Sequence, residues 1–258
     1  LCMTAIERGC QIPPNLIEVC IQHFDDSHKI VAFYAILALK QIMYVIKKQA
    51  DYEATKAYYA EQILNIFQKY LELANEFHDT EISEGLNIFI EFFDEKILPS
   101  CEVIFPAILN LFAAIQAASP DDKGNANTEF LADALILIIK RVEENAEIAQ
   151  TLLPTFYQQL FMVFQAITIN DDYLRVIEAI INASPHFDPN SWGIVEPLIQ
   201  IIGDDSDVDL DNVLAIIEQL IYRDTELESK PEIIGQLCEL LMHPDVIASD
   251  SSVWASFI

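Results

Sequence analysis

Glycine, basic residues and long apolar runs are scarce in this 258-residue chain. Its six glycines are too few for a β-sandwich or barrel, which needs a turn signal about every 8–12 residues. Lys and Arg total 14 against 41 Asp and Glu, a formal net charge of −27. No basic run exceeds two residues, as in Lys47-Lys48, so there is no cationic stripe to neutralise nucleic acid or an anionic membrane. The longest apolar run, Ile30 to Leu39, is about half of the ~20 residues that a bilayer crossing takes. No basic segment followed by an apolar one opens the chain, so no secretory leader is expected. The five cysteines, Cys2, Cys10, Cys20, Cys101 and Cys238, form no C-x-x-C pair and fit free thiols in a reducing compartment. These absences predict a soluble, intracellular protein. Leu1, without an initiator methionine, and Ile258, inside an apolar stretch, read as the ends of a fragment from a longer chain.

Motifs that carry chemistry are also missing. The scattered glycines make neither G-x-G-x-x-G nor a P-loop, so nothing cradles a phosphate. No G-x-S-x-G elbow or H-E-x-x-H pair occurs, and His23, His28, His78, His186 and His243 stand apart from one another. The stretch from Asp204 to Asp209 starts like a calcium loop, with Asp205, Asp207 and Asp209 as its first three ligands. Its glycine position holds Leu210 and its closing carboxylate position holds Ile216, so it can neither turn sharply nor close on a cation. These carboxylates read instead as an acidic turn that caps the helix after it. No enzyme activity, metal or cofactor is expected.

What the chain does have is apolar residues at helical spacing: it is 52% hydrophobic with a mean hydropathy of +0.26. After Pro106 come Ile108, Leu109, Phe112 and Ile115. After Pro154 come Phe156, Tyr157, Leu160 and Val163. After Pro231 come Ile233, Ile234, Leu237 and Leu240. The offsets trace one face at a 3.6-residue period, and proline fits a first turn where its missing N–H goes unused. Pro14 starts the same pattern, which fails at His23. A second kind of helix, with small alanines among aliphatics, follows Asp25-Asp26 through Ile30, Val31, Ala35, Ala38 and Leu39. Similar helices begin near Ile82, Thr128, Asp171 and Val208, with second members near Ala57, Pro99, Thr151, Pro189 and Pro231. First-helix starts are roughly 37–53 residues apart, close to the ~40–47 of HEAT and armadillo units. The expectation is an all-α, HEAT-type α-solenoid over 1–258, a single continuous segment of about five helix pairs plus a partial N-terminal one. Expected breaks are Ser119 to Asn127, with Thr128 as the next N-cap, and Gly203 to Asp209. The aromatics Tyr58, Tyr59, Phe67, Tyr70, Phe77, Phe89, Phe92 and Phe93, with Trp192 and Trp254, read as core.

Four stretches resemble the importin-β superfamily of nuclear transport receptors. Lys29 to Lys40 is similar to that superfamily's V-x-x-x-A-x-x-A-L helix. Ser184-Pro185, Pro189-Asn190-Ser191-Trp192 and Pro197-Leu198 resemble the S-P-x-x-W-x-x-x-P-L helix start of importins seven and eight and their fungal relatives. There too an acidic helix follows, as in Asp207 to Asn212. Asp171 to Ala183 resembles the subfamily's preceding helix, and Glu147 to Pro154 its E-I-x-x-x-L-x-P junction. Spanning roughly residues 25–225 in order, the resemblance implies a segment from the middle to C-terminal half of a monomeric receptor that shuttles between cytoplasm and nucleus. It further implies basic cargo such as ribosomal proteins and histones, release by the GTP-bound GTPase Ran, and nucleoporin contacts through the full-length receptor. The related exporter of importin-α, and a cytosolic HEAT scaffold outside transport, remain open.

The acidity itself favours steering of basic partners. If charge selects cargo, the candidate residues are Asp204, Asp205, Asp207, Asp209 and Asp211, then Asp25, Asp26, Asp171 and Asp172 at other inter-helix turns.

Overall fold

The computed structural model describes residues 12–118, 122–164, 169–184, 186–203 and 208–248. The fold is all-helical, with no strand among the described residues. The chain forms two compact units, 1–141 and 142–258, whose boundary falls in the last turn of a helix.

The first unit contains α1 (Leu16–Gln22), α2 (Lys29–Ile46), α3 (Tyr52–Tyr59), α4 (Ile63–Phe77), α5 (Thr80–Phe93), α6 (Cys101–Ala118) and most of α7 (Asp122–Glu143). In α4 the buried residues are Ile63, Ile66, Phe67, Tyr70, Leu73 and Ala74, the i, i+3, i+4, i+7 spacing of a single core-facing stripe. It ends at His78, whose left-handed φ of 48° closes the helix as a C′ residue does. Asp79 then caps α5, accepting from the Glu81 N–H at 3.0 Å. The second unit contains α8 (Ala146–Phe164), α9 (Asp171–Ala183), α10 (Val195–Gly203), α11 (Leu210–Arg223), α12 (Pro231–Leu241) and α13 (Pro244–Ala248). Asn170 and Asp209 cap α9 and α11 with their side-chain oxygens.

Two proline assignments need correction. Pro231 starts α12 as expected, but Pro106 and Pro154 lie inside α6 and α8 rather than in their first turns. Cys101, Ile104 and Phe105 upstream of Pro106, and Ala149 and Leu153 upstream of Pro154, are all buried. Their packing holds helix ahead of each ring despite the lost hydrogen bond. Thr128 is likewise no N-cap: α7 begins at Asp122, so Thr128 is interior to it and 1% exposed. The expected Ser119–Asn127 loop is therefore helical from Asp122 onward, and residues 119–121 lie outside the described residues.

The aromatic expectation divides. Tyr59, Phe67, Tyr70, Phe89, Phe92, Phe93 and Trp192 are buried, Phe77 is half-buried and Tyr58 is 72% exposed. Trp254, Cys2 and Cys10 lie outside the described residues. Cys20 and Cys101 are buried and Cys238 is exposed; burial pushes the Cys101 pKa up to about 12. Lys29–Ile46 and the Thr80–Ala118 stretch are long and apolar enough to cross a membrane, unlike the short run counted in the sequence, yet 44% of each window is buried. The latter is also broken by a 3₁₀ turn at Asp94–Ser100.

Within each unit, helices pack against the next helix and against another two or three helices further along. In the first unit α2 packs on α5 and α4 on α6; in the second, α9 packs on α11 and α10 on α12. Long-range polar contacts follow the same interval. The hydrogen bond from Asn127 to the His78 carbonyl spans 49 residues, and that from the Asp209 N–H to Asp171 spans 38. Lys40 to Glu81, Lys47 to Glu91, Ser83 to Asn127 and Arg223 to the Asn182 carbonyl fall between those limits. Trp192 to Asp224, at 32, and Tyr173 to the Leu160 carbonyl, at 13, are shorter.

Candidate binding site

The candidate carboxylates do not share one role. Asp171 is turned inward: its Oδ1 accepts from the Asp209 N–H (2.8 Å) and from Asn212 Nδ2 (2.9 Å), tying the start of α11 to the start of α9. Asp172 is 16% exposed and pairs with Arg175 at 3.5 Å. Asp209 is exposed and spends Oδ1 on the Asp211 N–H. Asp211 is exposed in the first turn of α11, where a carboxylate also complements the helix dipole. The structure thus brings Asp171, Asp209 and Asp211 together at one edge of the second unit. Asp204, Asp205 and Asp207 lie outside the described residues.

Asp25 and Asp26 belong to the first unit. Asp25 is 93% exposed and receives Lys69 Nζ at 3.0 Å. Asp26 accepts from the His28 N–H at 2.9 Å, a bond that holds its carboxyl below the usual pKa, helped by the nearby His28 and His23 rings.

Many of the basic side chains among the described residues meet the protein's own acceptors, while Lys48 lies over the Tyr44 ring and Lys140 is exposed. Lys29 pairs with Glu76, Lys47 with Glu91, and Lys69 with both Asp25 and Glu72. Lys40 and Lys56 are 3% and 2% exposed, the first held by Glu81 and Glu84, the second by Glu53 and Glu95. Arg141 Nε meets Asp94 at 2.9 Å. That carboxyl, half-covered and beside Glu95, titrates above its ordinary value because burial outweighs the Arg141 charge. Arg223 donates to the carbonyls of Ile181, Asn182 and Ser184, closing the C-terminal end of α9. Lys230 is bound at 2.6 Å to the buried Asp224, which also accepts from Trp192 Nε1 at 2.7 Å. With 41 acidic side chains against 14 basic ones in the chain, these pairings leave carboxylates in excess, Asp209 and Asp211 among the exposed ones.

Sequence reading missed two features. Glu178 and Glu218 are half-exposed on α9 and α11, the helices that begin with Asp171 and follow Asp209; their spacing from the buried stripe was the available signal. A groove of about 540 Å³ in the second unit is lined by Pro154, Tyr157, Ile181, Phe187, Asp188 and Arg223, among others. Tyr157 is 7% exposed, and its hydroxyl meets no partner at hydrogen-bond geometry. Burial raises its pKa, against the opposing effect of the nearby Ser191 hydroxyl. The groove gathers residues 73 positions apart in sequence, from Gln150 to Arg223, so no local pattern announces it.

Among the described residues no group of three His, Cys, Asp or Glu side chains is placed to hold a metal ion. No protein-family model, curated protein or solved structure matches the chain.

Proposed function

We propose that this chain is a stretch of HEAT-type helical solenoid that acts as a non-catalytic scaffold for lysine- and arginine-rich protein partners, within a nuclear transport receptor of importin-β type. The repeat interval supports the solenoid: polar contacts 38 to 49 residues apart, and helices packing on another two or three helices further along, are what stacked pairs of ~40–47 residues produce. The observation that carries the binding reading is the excess of acid over base, 41 residues to 14, with many of the few cations paired to the protein's own carboxylates and carbonyls. The surface therefore retains an excess of acid. Such a surface raises association rates with cationic partners and rejects anionic ones. The transport assignment rests on the sequence resemblance.

Ran binding by the full parent chain tests the transport reading. A strong preference for the GTP-loaded form is expected, and equal or absent binding to the two forms refutes it. Titration with a lysine-rich protein in rising salt tests the binding reading separately. Affinity should fall steeply between low and physiological ionic strength, where the screening length shortens to about 8 Å. A salt-independent affinity counts against it.

A further inference from the structure

The groove of about 540 Å³ in the second unit sets an apolar wall beside a cation that has no counter-charge. Pro154, Tyr157, Ile181 and Phe187 supply the wall, and Arg223 lines the same space. The Phe187 ring is braced by Trp192, with centroids 6.0 Å apart, and has Lys230 Nζ 5.6 Å from its own centroid. The volume falls within the range of about 300–1,000 Å³ that ligand sites occupy.

Among the described arginines, Arg141 meets Asp94 and Arg175 meets Asp172, but Arg223 meets no carboxylate. A guanidinium carries five N–H donors. In Arg223 both of those on Nη1 and one on Nη2 go to the carbonyls of Ile181, Asn182 and Ser184. The Nε–H and the second Nη2–H have no acceptor in the chain, and the side chain is half-buried rather than closed off. Asp188 shares the groove, but its Oδ1 already accepts the Asn190 N–H at 2.9 Å and it forms no ion pair with Arg223. Two spare guanidinium donors match the two oxygens of a carboxylate. A phosphate would bring about two charges into a chain of formal charge −27 and leave the wall bare. The wall calls for an apolar side chain on the same ligand. A second depression of about 690 Å³ shares His186, Phe187 and Arg223 with the groove and runs on past Asn182 and Tyr222. A polypeptide whose last residue fills the groove has its way out along that depression, which a small acid does not need.

We propose that the groove seats the C-terminal residue of a partner polypeptide, an aromatic or branched apolar side chain against Phe187 and Ile181 and its α-carboxylate on Arg223. The seat goes beyond the basic-partner reading and does not depend on it, since it uses a cation and an apolar wall rather than the surface acid.

The test titrates an N-acetylated pentapeptide of glycine and serine ending in phenylalanine into the full chain by calorimetry. Physiological salt is used, so that the repulsion of an anion by the distant acid is screened beyond about 8 Å. The same peptide as its C-terminal amide, and 3-phenylpropionate, are titrated alongside. The free acid should bind and the amide should bind at least about tenfold more weakly, having lost a charge-assisted pair of bonds. His186 is exposed on the groove, so His186→Glu places a like charge there without touching the core. It should weaken the acid about 3–10-fold and leave both the amide and the melting temperature unchanged. Arg223→Lys keeps the charge but loses the fork, and should bring the acid close to the amide. Equal affinity for acid and amide, no binding of the acid, or wild-type affinity in His186→Glu overturns the seat. If Arg223→Lys melts lower because the end of α9 is loosened, the acid–amide pair and His186→Glu still decide. Binding of 3-phenylpropionate as tight as that of the peptide overturns the chain terminus as the occupant and gives the groove to a small acid.

Discussion

Lys40 and its two glutamates offer an asymmetry that a simple count of salt bridges would not foresee. Lys40 is 3% exposed on α2, while Glu81 and Glu84 on α5 are 61% and 42% exposed. Removing the cation by Lys40→Met leaves two carboxylates that can turn into water and fills the space with an apolar stem. The expected cost is within about 1 kcal/mol. Removing both acceptors by Glu81→Gln with Glu84→Gln leaves a buried ammonium without its counter-charges. A fully interior orphan would cost about 3–5 kcal/mol; water reaching this pair reduces that to about 1–3 kcal/mol. Urea unfolding at pH 7 measures both. The pH dependence has a definite sign. Burial opposes the Lys40 charge, but the hydrogen bonds and charges of Glu81 and Glu84 outweigh it and raise the pKa above 10.5. The stabilisation is therefore complete below pH 10.5 and is lost as pH rises through the folded-state value. If Lys40→Met proves more destabilising than the double glutamine variant, the ammonium is not the group whose burial governs this contact.

Other substitutions follow from similar geometry. Asp224→Ala leaves Trp192 Nε1, Lys230 Nζ and the Glu226 N–H without their acceptor. It should cost about 1–3 kcal/mol and shift tryptophan emission to the red; unchanged emission would argue against the Trp192 bond. Burial raises the Asp224 pKa, but Lys230, Trp192 and the Glu226 N–H more than reverse this and hold it below 3.8. Its contribution is thus present above pH 3.8 and lost as pH falls through the folded-state value. Gly85→Ala places a Cβ 2.6 Å from the ring of buried Tyr70, whereas Gly235→Ala meets nothing within 4 Å. The first should destabilise by about 1–3 kcal/mol and the second stabilise by up to about 1 kcal/mol, both read from urea midpoints. Asp94 closes α5 with φ 50° and ψ −127°, a conformation that suits glycine. Asp94→Ala and Asp94→Gly both lose the Arg141 contact, so the glycine variant should be more stable by about 1 kcal/mol; equal stabilities would show no strain there.

The helices were legible because their stripes are strong and local. Ile63, Ile66, Phe67 and Tyr70, or Tyr173, Leu174, Ile177 and Ile180, repeat within one element, and a 3.6-residue period needs no tertiary information. Asp209 ahead of α11 was legible as a cap for the same reason. Pro106, Pro154 and Thr128 misled because proline and threonine state a local preference. The buried neighbours that overrode it, Cys101, Ile104 and Phe105 among them, stabilise the helix through contacts with other helices.

The sequence alone determined that the protein is helical and strongly acidic, since glycine count and net charge are sums over residues and apolar periodicity is a matter of their local order. Only the tertiary structure decided how that acid is used. A carboxylate's role depends on what stands within about 3 Å of it, and for Asp171 those neighbours come from 38 and 41 residues away. Asp171 and Asp211 are indistinguishable as letters, yet one accepts two internal hydrogen bonds and the other is exposed.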